Sequence, residues 1–206
     1  MPWAPDYVGV EDLKDYIRVP DTADDAVLAR AVSTASRAVD RTAHRQFGNV
    51  AVPEAREYTA RFGRRSGWVA GLDDVADSTG LLVALDTTGD GTYPTTVDPV
   101  DYQLLPRNAA QHGRPWEALG IRGAAAAQVT GREGEVRVTA LFGWSTVPVA
   151  VAQATLLQAS RLAARRDSPF GVAGSPDAGT ELRLLARVDP DVAVALEPYR
   201  RRIWTR

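Results

Sequence analysis

The stretch PVAVAQATLLQASRLAARRDSPFGVAG, Pro148 to Gly174, decides the fold. Pro148 suits the first turn of a helix, where its missing N–H is no loss. From there to Arg166 the chain has no glycine and no further proline, and the good helix formers Ala, Leu, Gln and Arg dominate. Val149, Ala152, Leu156, Ala159 and Ala163 recur at helical spacing and predict one apolar stripe. Gln158, Arg161 and Arg165 predict a polar line on another face. Leu157 and Leu162 widen the apolar surface, so this helix is expected to be central and touched on more than one side. It should stop at Asp167-Ser168-Pro169, because the residue before a proline avoids the helical region.

Toward the N-terminus, Val10–Ile17 reads as a short helix with Leu13, Tyr16 and Ile17 on one face. Glu11 and Asp12 lie in its first turn, where the helix dipole favours them. After Pro20, Thr22 is expected to cap a long helix, with Asp25 completing a weak capping box. Leu28, Ala31, Val32, Ala35 and Val39 make its apolar stripe, and Gly48 is expected to cap its end after Phe47. Arg30, Thr34, Arg37, Arg41 and Arg45 form the opposite face. A solvated surface is the commonest use of such a line. DNA or a partner's carboxylates are the functional alternatives.

From Val52 to about Trp144 glycine and proline become frequent and the apolar runs shorten. Strands are expected at Arg56–Phe62, Gly67–Val69, Leu81–Asp86, Gly91–Thr96, Tyr102–Leu105 and Glu135–Phe142. In the last, Val136, Val138 and Ala140 alternate with Arg137, Thr139 and Leu141. Arg107–Trp116 reads as an exposed loop, and the four alanines at 124–127 carry no assignment. Beyond a loop at SPDAG lies an apolar element, Leu182–Val188. Asp189 should then cap a helix with Pro190 at its first position.

The 206 residues, 45% hydrophobic and 24% charged, suffice for a real core in one domain or two small ones. A net charge of −2 argues against a surface wholly devoted to nucleic acid. Cysteine is absent, which removes disulfides and thiolate metal sites. No apolar run approaches the roughly 18 residues that span a bilayer. MPWAPDYVG has neither the basic nor the apolar region of a signal peptide, so a cytoplasmic site of synthesis and assembly is expected.

The constellations that could carry chemistry are sparse. DTTGDG, with Asp86, Asp90 and Gly91, invites a calcium-loop reading, but Thr88 and Val97 occupy two ligand positions, so a hairpin turn is expected. His44 and His112 stand outside any HxxxH or HxE pattern and read as surface residues. GRRSG is neither a P-loop nor a dinucleotide fingerprint. The acid pairs at 24–25, 73–74 and 189/191 fall at a helix start, a loop and a cap. No catalytic residue, metal or cofactor is expected.

ATLLQASRLAARRDSPFGVAG and DPDVAVALEPYRR resemble the head–tail connector (adaptor) proteins of long-tailed bacteriophages and gene transfer agents. LKDYIRVPDTADDAVLARAVSTASRAVDRTAHRQF is similar to that family's first two helices, and LLVALDTTGDGTYPTTVDPVDYQLLPRNA, more loosely, to the middle module of its longer members. The resemblance implies an α+β, mainly α fold: a short, a long, a central and a C-terminal helix with an inserted β-hairpin-rich module. Its expected divisions are helices over 1–50, a β-rich insertion over 51–145, the central helix over 146–174 and a docking arm over 175–206.

The implied function is structural. Subunits would form a dodecameric ring that joins the portal to a stopper or tail-terminator protein in the virion neck. The ring would continue the DNA exit channel, touching the genome only transiently, with no membrane partner. Arg161, Arg165, Arg166, Asp167, Pro169, Phe170, Tyr199, Arg200, Arg201, Arg202 and Trp204 are the expected portal or ring contacts. Arg30, Arg37, Arg41 and Arg45 would face the channel or a neighbour. The alternatives are a stopper or tail-terminator protein and, from another class, a helical DNA-binding regulator.

Overall fold

The computed structural model describes residues 3–165, 172–173, 182–183 and 189–201. They fall into two compact units: Gly48–Thr146, joined by the N-terminal residues up to Ala4, and Pro5–Phe47 with Val147–Arg201.

The first unit is built on a seven-stranded sheet, and this overturns the mainly helical expectation. Its strands are β1 (Glu54–Tyr58), β2 (Ala60–Gly63), β3 (Gly67–Leu85), β4 (Thr95–Thr96), β5 (Tyr102–Leu105), β6 (Trp116–Ile121) and β7 (Val136–Phe142). Their order is β1-β7-β3-β6-β5, with β2 and β4 also paired to β3, and every pairing is antiparallel. The 19-residue β3 organises the sheet. Its first half pairs with β2 and β6, and its second half with β7 and β4. The register shifts between Gly71 and Leu82, where it changes partners. Such bulges bend a strand and raise its twist, so one long strand can serve two sets of neighbours.

The sequence reading split β3 into Gly67–Val69 and Leu81–Asp86, because the intervening AGLDDVADSTG is rich in residues that disfavour strands. Tertiary bonds hold that middle in place. Trp144 Nε1 donates to Asp74 Oδ2 at 2.8 Å, and Arg56 Nη1 meets Asp73 Oδ2 at 2.8 Å. Strand β6 was missed, its first residue having been given to the loop. The expected strand Gly91–Thr96 shrinks to β4, and the alanine run forms a one-turn helix, α3 (Gly123–Ala126). β7 alternates as expected: Val136, Val138, Ala140 and Phe142 are buried. They pack with Leu72, Val75, Val83, Leu85, Leu119 and Ile121 in one apolar core.

The second unit contains α1 (Val10–Ile17), α2 (Asp25–Ala43), α4 (Val149–Ala164) and α5 (Pro190–Leu196), followed by a 3-10 turn at Glu197–Tyr199. α4 packs on α1, α2 and α5. Leu13, Leu28, Val32, Ala35 and Ala159 form its core. Several helix details differ from the expectation. α2 starts from Asp24 rather than Thr22, and the Asp25 carboxylate meets Lys14 Nζ at 3.2 Å, which ties α1 to α2. It ends at His44, whose φ of 54° is left-handed and whose N–H donates to the Asp40 carbonyl, so Gly48 is not the cap. In α4 Pro148 is the N-cap, and the buried residues are Val151, Ala154, Thr155 and Ala159. Val149, placed in the expected stripe, is 85% exposed. The Asp189 cap stands as expected: Oδ1 accepts from Asp191 N at 2.8 Å with Pro190 following. Val172–Ala173 and Leu182–Arg183 pair their backbones antiparallel.

Candidate functional site

Within the helical unit, Tyr7 sits at a buried polar junction. Its hydroxyl donates to Asp40 and accepts from Phe47 N at 2.9 Å, and its own N–H donates to Ser36 Oγ at 3.2 Å. Arg37 completes the junction: Nε lies 3.1 Å from Asp40 Oδ2, and Nη2 donates to the Pro5 carbonyl at 2.6 Å. Burial, with the bond to Asp40, pushes the Tyr7 phenol up, and burial also raises the Asp40 carboxyl against the pull of Tyr7 and Arg37. Phe47 then contacts both Tyr7 and Tyr199 edge-on, with ring centroids 5.6 and 6.1 Å apart.

This junction breaks up the expected arginine line of α2. Arg37 is engaged at Asp40, and Arg45, beyond the helix end, is only 8% exposed. Arg30 and Arg41 are exposed. A DNA-reading face built from all four is therefore not laid out on the surface.

Among the expected portal or ring contacts, Arg161 is bound within the unit, its Nη1 2.6 Å from Asp189 Oδ2. This ion pair links α4 to the start of α5. Arg165 is the C-cap of α4 and half-buried. Tyr199 lies against Phe47, Arg200 meets Glu197 at 3.3 Å, and Arg201 N donates to the Ala43 carbonyl at 2.9 Å. Arg166, Asp167, Pro169, Phe170, Arg202 and Trp204 lie outside the described residues.

In the sheet unit, Asp86 is committed to its turn. Its carboxylate accepts from Gly89 N at 2.6 Å, Gly91 N at 3.0 Å, Thr88 N at 3.1 Å and Thr88 Oγ1 at 3.2 Å. Burial raises this carboxyl, but the four donors together hold it below its ordinary value. Its acceptor sites are thus filled by the hairpin it organises. His112 lies in a 3-10 turn at Ala110–His112, and His44 is exposed. Arg56 is stacked between two rings, 4.3 Å from the Trp3 centroid and 4.2 Å from that of Phe142.

The β2–β3 hairpin was not among the sequence candidates. Gly63 pairs with Gly67, so Arg64, Arg65 and Ser66 make the turn, and Gly67 takes φ 67°, a conformation natural to glycine. Arg61, Phe62, Arg64 and Arg65 are all exposed, Phe62 at 65%. Phe62 meets Trp68 edge-on across the pair, with centroids 5.3 Å apart. Arg61, Arg64 and Arg65 form no hydrogen bond or ion pair among the described residues. The signal was present in ARFGRRSGW: three arginines, two aromatics and no acid over nine residues.

No protein-family model and no curated protein matches the chain. Among solved structures it is similar to a chain of a particle described as the virion of native gene transfer agent (GTA) particle. The likeness covers 97% of this chain and 93% of that one, with 22% sequence identity and a TM-score of 0.51. It shows a shared fold across nearly the whole length of both.

Proposed function

We propose that this chain is a structural virion protein of a tailed phage or gene transfer agent, and that it acts as the head-to-tail adaptor. Copies form a ring that joins the portal to the stopper or tail and continues the DNA exit channel. The observation that carries this reading is the fold likeness, over almost the full length of both chains, to a protein of a gene transfer agent virion. The resemblance of RRDSPFGVAG and DPDVAVALEPYRR to adaptor sequences supports the finer assignment.

The surface suits such a role. A cyclic assembly buries two different faces of each subunit against its neighbours. Tyr16, Val149 and Val194 in the helical unit, and Val52, Leu82 and Val100 in the sheet unit, are large apolar side chains left exposed. Each is costly to leave in water and gains from burial in an assembly. The reading gives the protein no catalytic role, cofactor or membrane partner, and it places the finished ring in the virion neck.

Electron microscopy of purified particles tests it. A ring of this protein should sit between portal and tail, and deleting its gene should leave DNA-filled heads without tails. Particles that lack the protein, or that join heads to tails without it, would refute the reading.

A further inference from the structure

We propose that the β2–β3 hairpin is a contact surface for the phosphate backbone of double-stranded DNA, made by Arg61, Arg64 and Arg65 with Phe62 against the sugars. The inference deepens the adaptor reading and rests on it for the source of the DNA.

The argument begins with charge. The hairpin carries three guanidinium groups and no carboxylate, in a chain whose net charge is −2. Several other arginines have acidic partners, Arg37 at Asp40, Arg56 at Asp73, Arg137 at Glu57 and Arg161 at Asp189, whereas the exposed Arg30 and Arg41 of α2 stand near the acids of that helix and are not joined by a second strand. Arg61, Arg64 and Arg65 have no such partner among the described residues, and all three are exposed. Apart from the Ser66 hydroxyl, the side-chain polar groups of this turn only donate. A ligand made of acceptors fits that better than the mixed surface of a folded protein. The guanidinium fork matches the geometry of phosphate oxygens.

Shape points the same way. A two-stranded ribbon is narrow enough to approach a DNA groove. The three-residue turn brings Arg64 and Arg65 to the tip, and Arg61 lies on the adjoining strand. Phe62 is held by its contact with Trp68, so its ring reaches the ligand with little ordering cost.

The expected strength is low, as a channel that lets DNA slide requires. Each neutralised phosphate contributes about −0.9 to the slope of log affinity against log salt, so three give about −2.7. Raising salt from about 50 to 200 mM should therefore weaken binding by roughly 40-fold.

Fluorescence anisotropy of a labelled duplex titrated with the full chain, at both salt concentrations, tests this. The triple variant R61Q/R64Q/R65Q should lose binding, whereas R61K/R64K/R65K should retain most of it. Circular dichroism should be unchanged in both, because every altered side chain is exposed. No binding by the unaltered chain at the lower salt, or equal binding by the glutamine variant, overturns the inference. So does a glutamine variant that keeps DNA binding but no longer associates with the portal, since the hairpin is then a protein contact. Ring formation on the portal, followed in the same samples, separates the two readings. Rings without DNA binding sink only the hairpin assignment, and DNA binding by a protein absent from particles sinks only the adaptor.

Discussion

Gly143 has little choice of residue. Its φ is 116°, and a Cβ there would collide with the Gly48 carbonyl oxygen and lie 2.5 Å from Asn49 Cα. Its N–H donates to the Asp74 carbonyl at 2.6 Å, and the next residue's N–H to Gly48 O at 2.9 Å, so the neighbouring backbone is pinned. Gly143→Ala should destabilise the protein by at least ~2 kcal/mol, read as a lower midpoint in urea. Nothing in the local string FGW announces this, because the obstacle comes from a segment almost a hundred residues earlier. Asp86 is the opposite case: DTTGDG pointed to a turn, and its carboxylate builds one. Because the folded carboxyl titrates below its ordinary value, the ionised form stabilises the turn above the unfolded pKa of about 3.9. That contribution is lost as pH falls through the lower folded value. Asp86→Asn should lower the melting temperature near neutral pH, and the gap to the unaltered protein should narrow as pH falls below the unfolded value of about 3.9. A gap that stays constant would rule the titration out as its source.

At the scale of elements, periodicity located the helices and, in α4, placed Leu156, Ala159 and Ala163 against the core, misplacing only the first residue of the stripe, Val149. The spacing in α4 is compatible with neighbouring stripes, since Ala, Val and Leu occur nearly all round it. Packing selected Val151, Ala154, Thr155 and Ala159 and left Val149 outside. Val151→Ala should therefore cost about 1–3 kcal/mol, while Val149→Ala should stay within about 0.5 kcal/mol. Equal effects in chemical denaturation would contradict the burial of Val151 and the exposure of Val149. Strand β7 was legible because one buried face imposes strict alternation from Val136 to Phe142. The middle of β3 was not: Asp73, Asp74 and Asp77 read as a loop, and only bonds to Arg56 and Trp144 reveal why a strand carries two of those acids. The arginine line of α2 is interrupted at Arg37 and Arg45 for the same reason, while Arg30 and Arg41 stay exposed. A helical wheel shows which residues share a face, but not that Asp40 and Pro5 engage Arg37 there.

At the scale of the whole molecule, the adaptor reading makes the arm after Tyr199 the portal anchor. Arg201 N holds the Ala43 carbonyl, so a chain ending at Arg201 keeps that bond and loses RIWTR. This truncation should leave the melting temperature unchanged and abolish co-sedimentation with the portal; undiminished co-sedimentation would place the anchor elsewhere. By itself the sequence determined the helical stretches, the turn at Asp86, the cap at Asp189 and the alternating face of β7. Each depends on residues within one turn or one strand of each other. The tertiary structure decided that the middle of the chain builds a seven-stranded sheet rather than a hairpin module, and which arginines remain at the surface. Strand partners and ion pairs join residues tens of positions apart, and the free energy of those pairings has no signature in any local window.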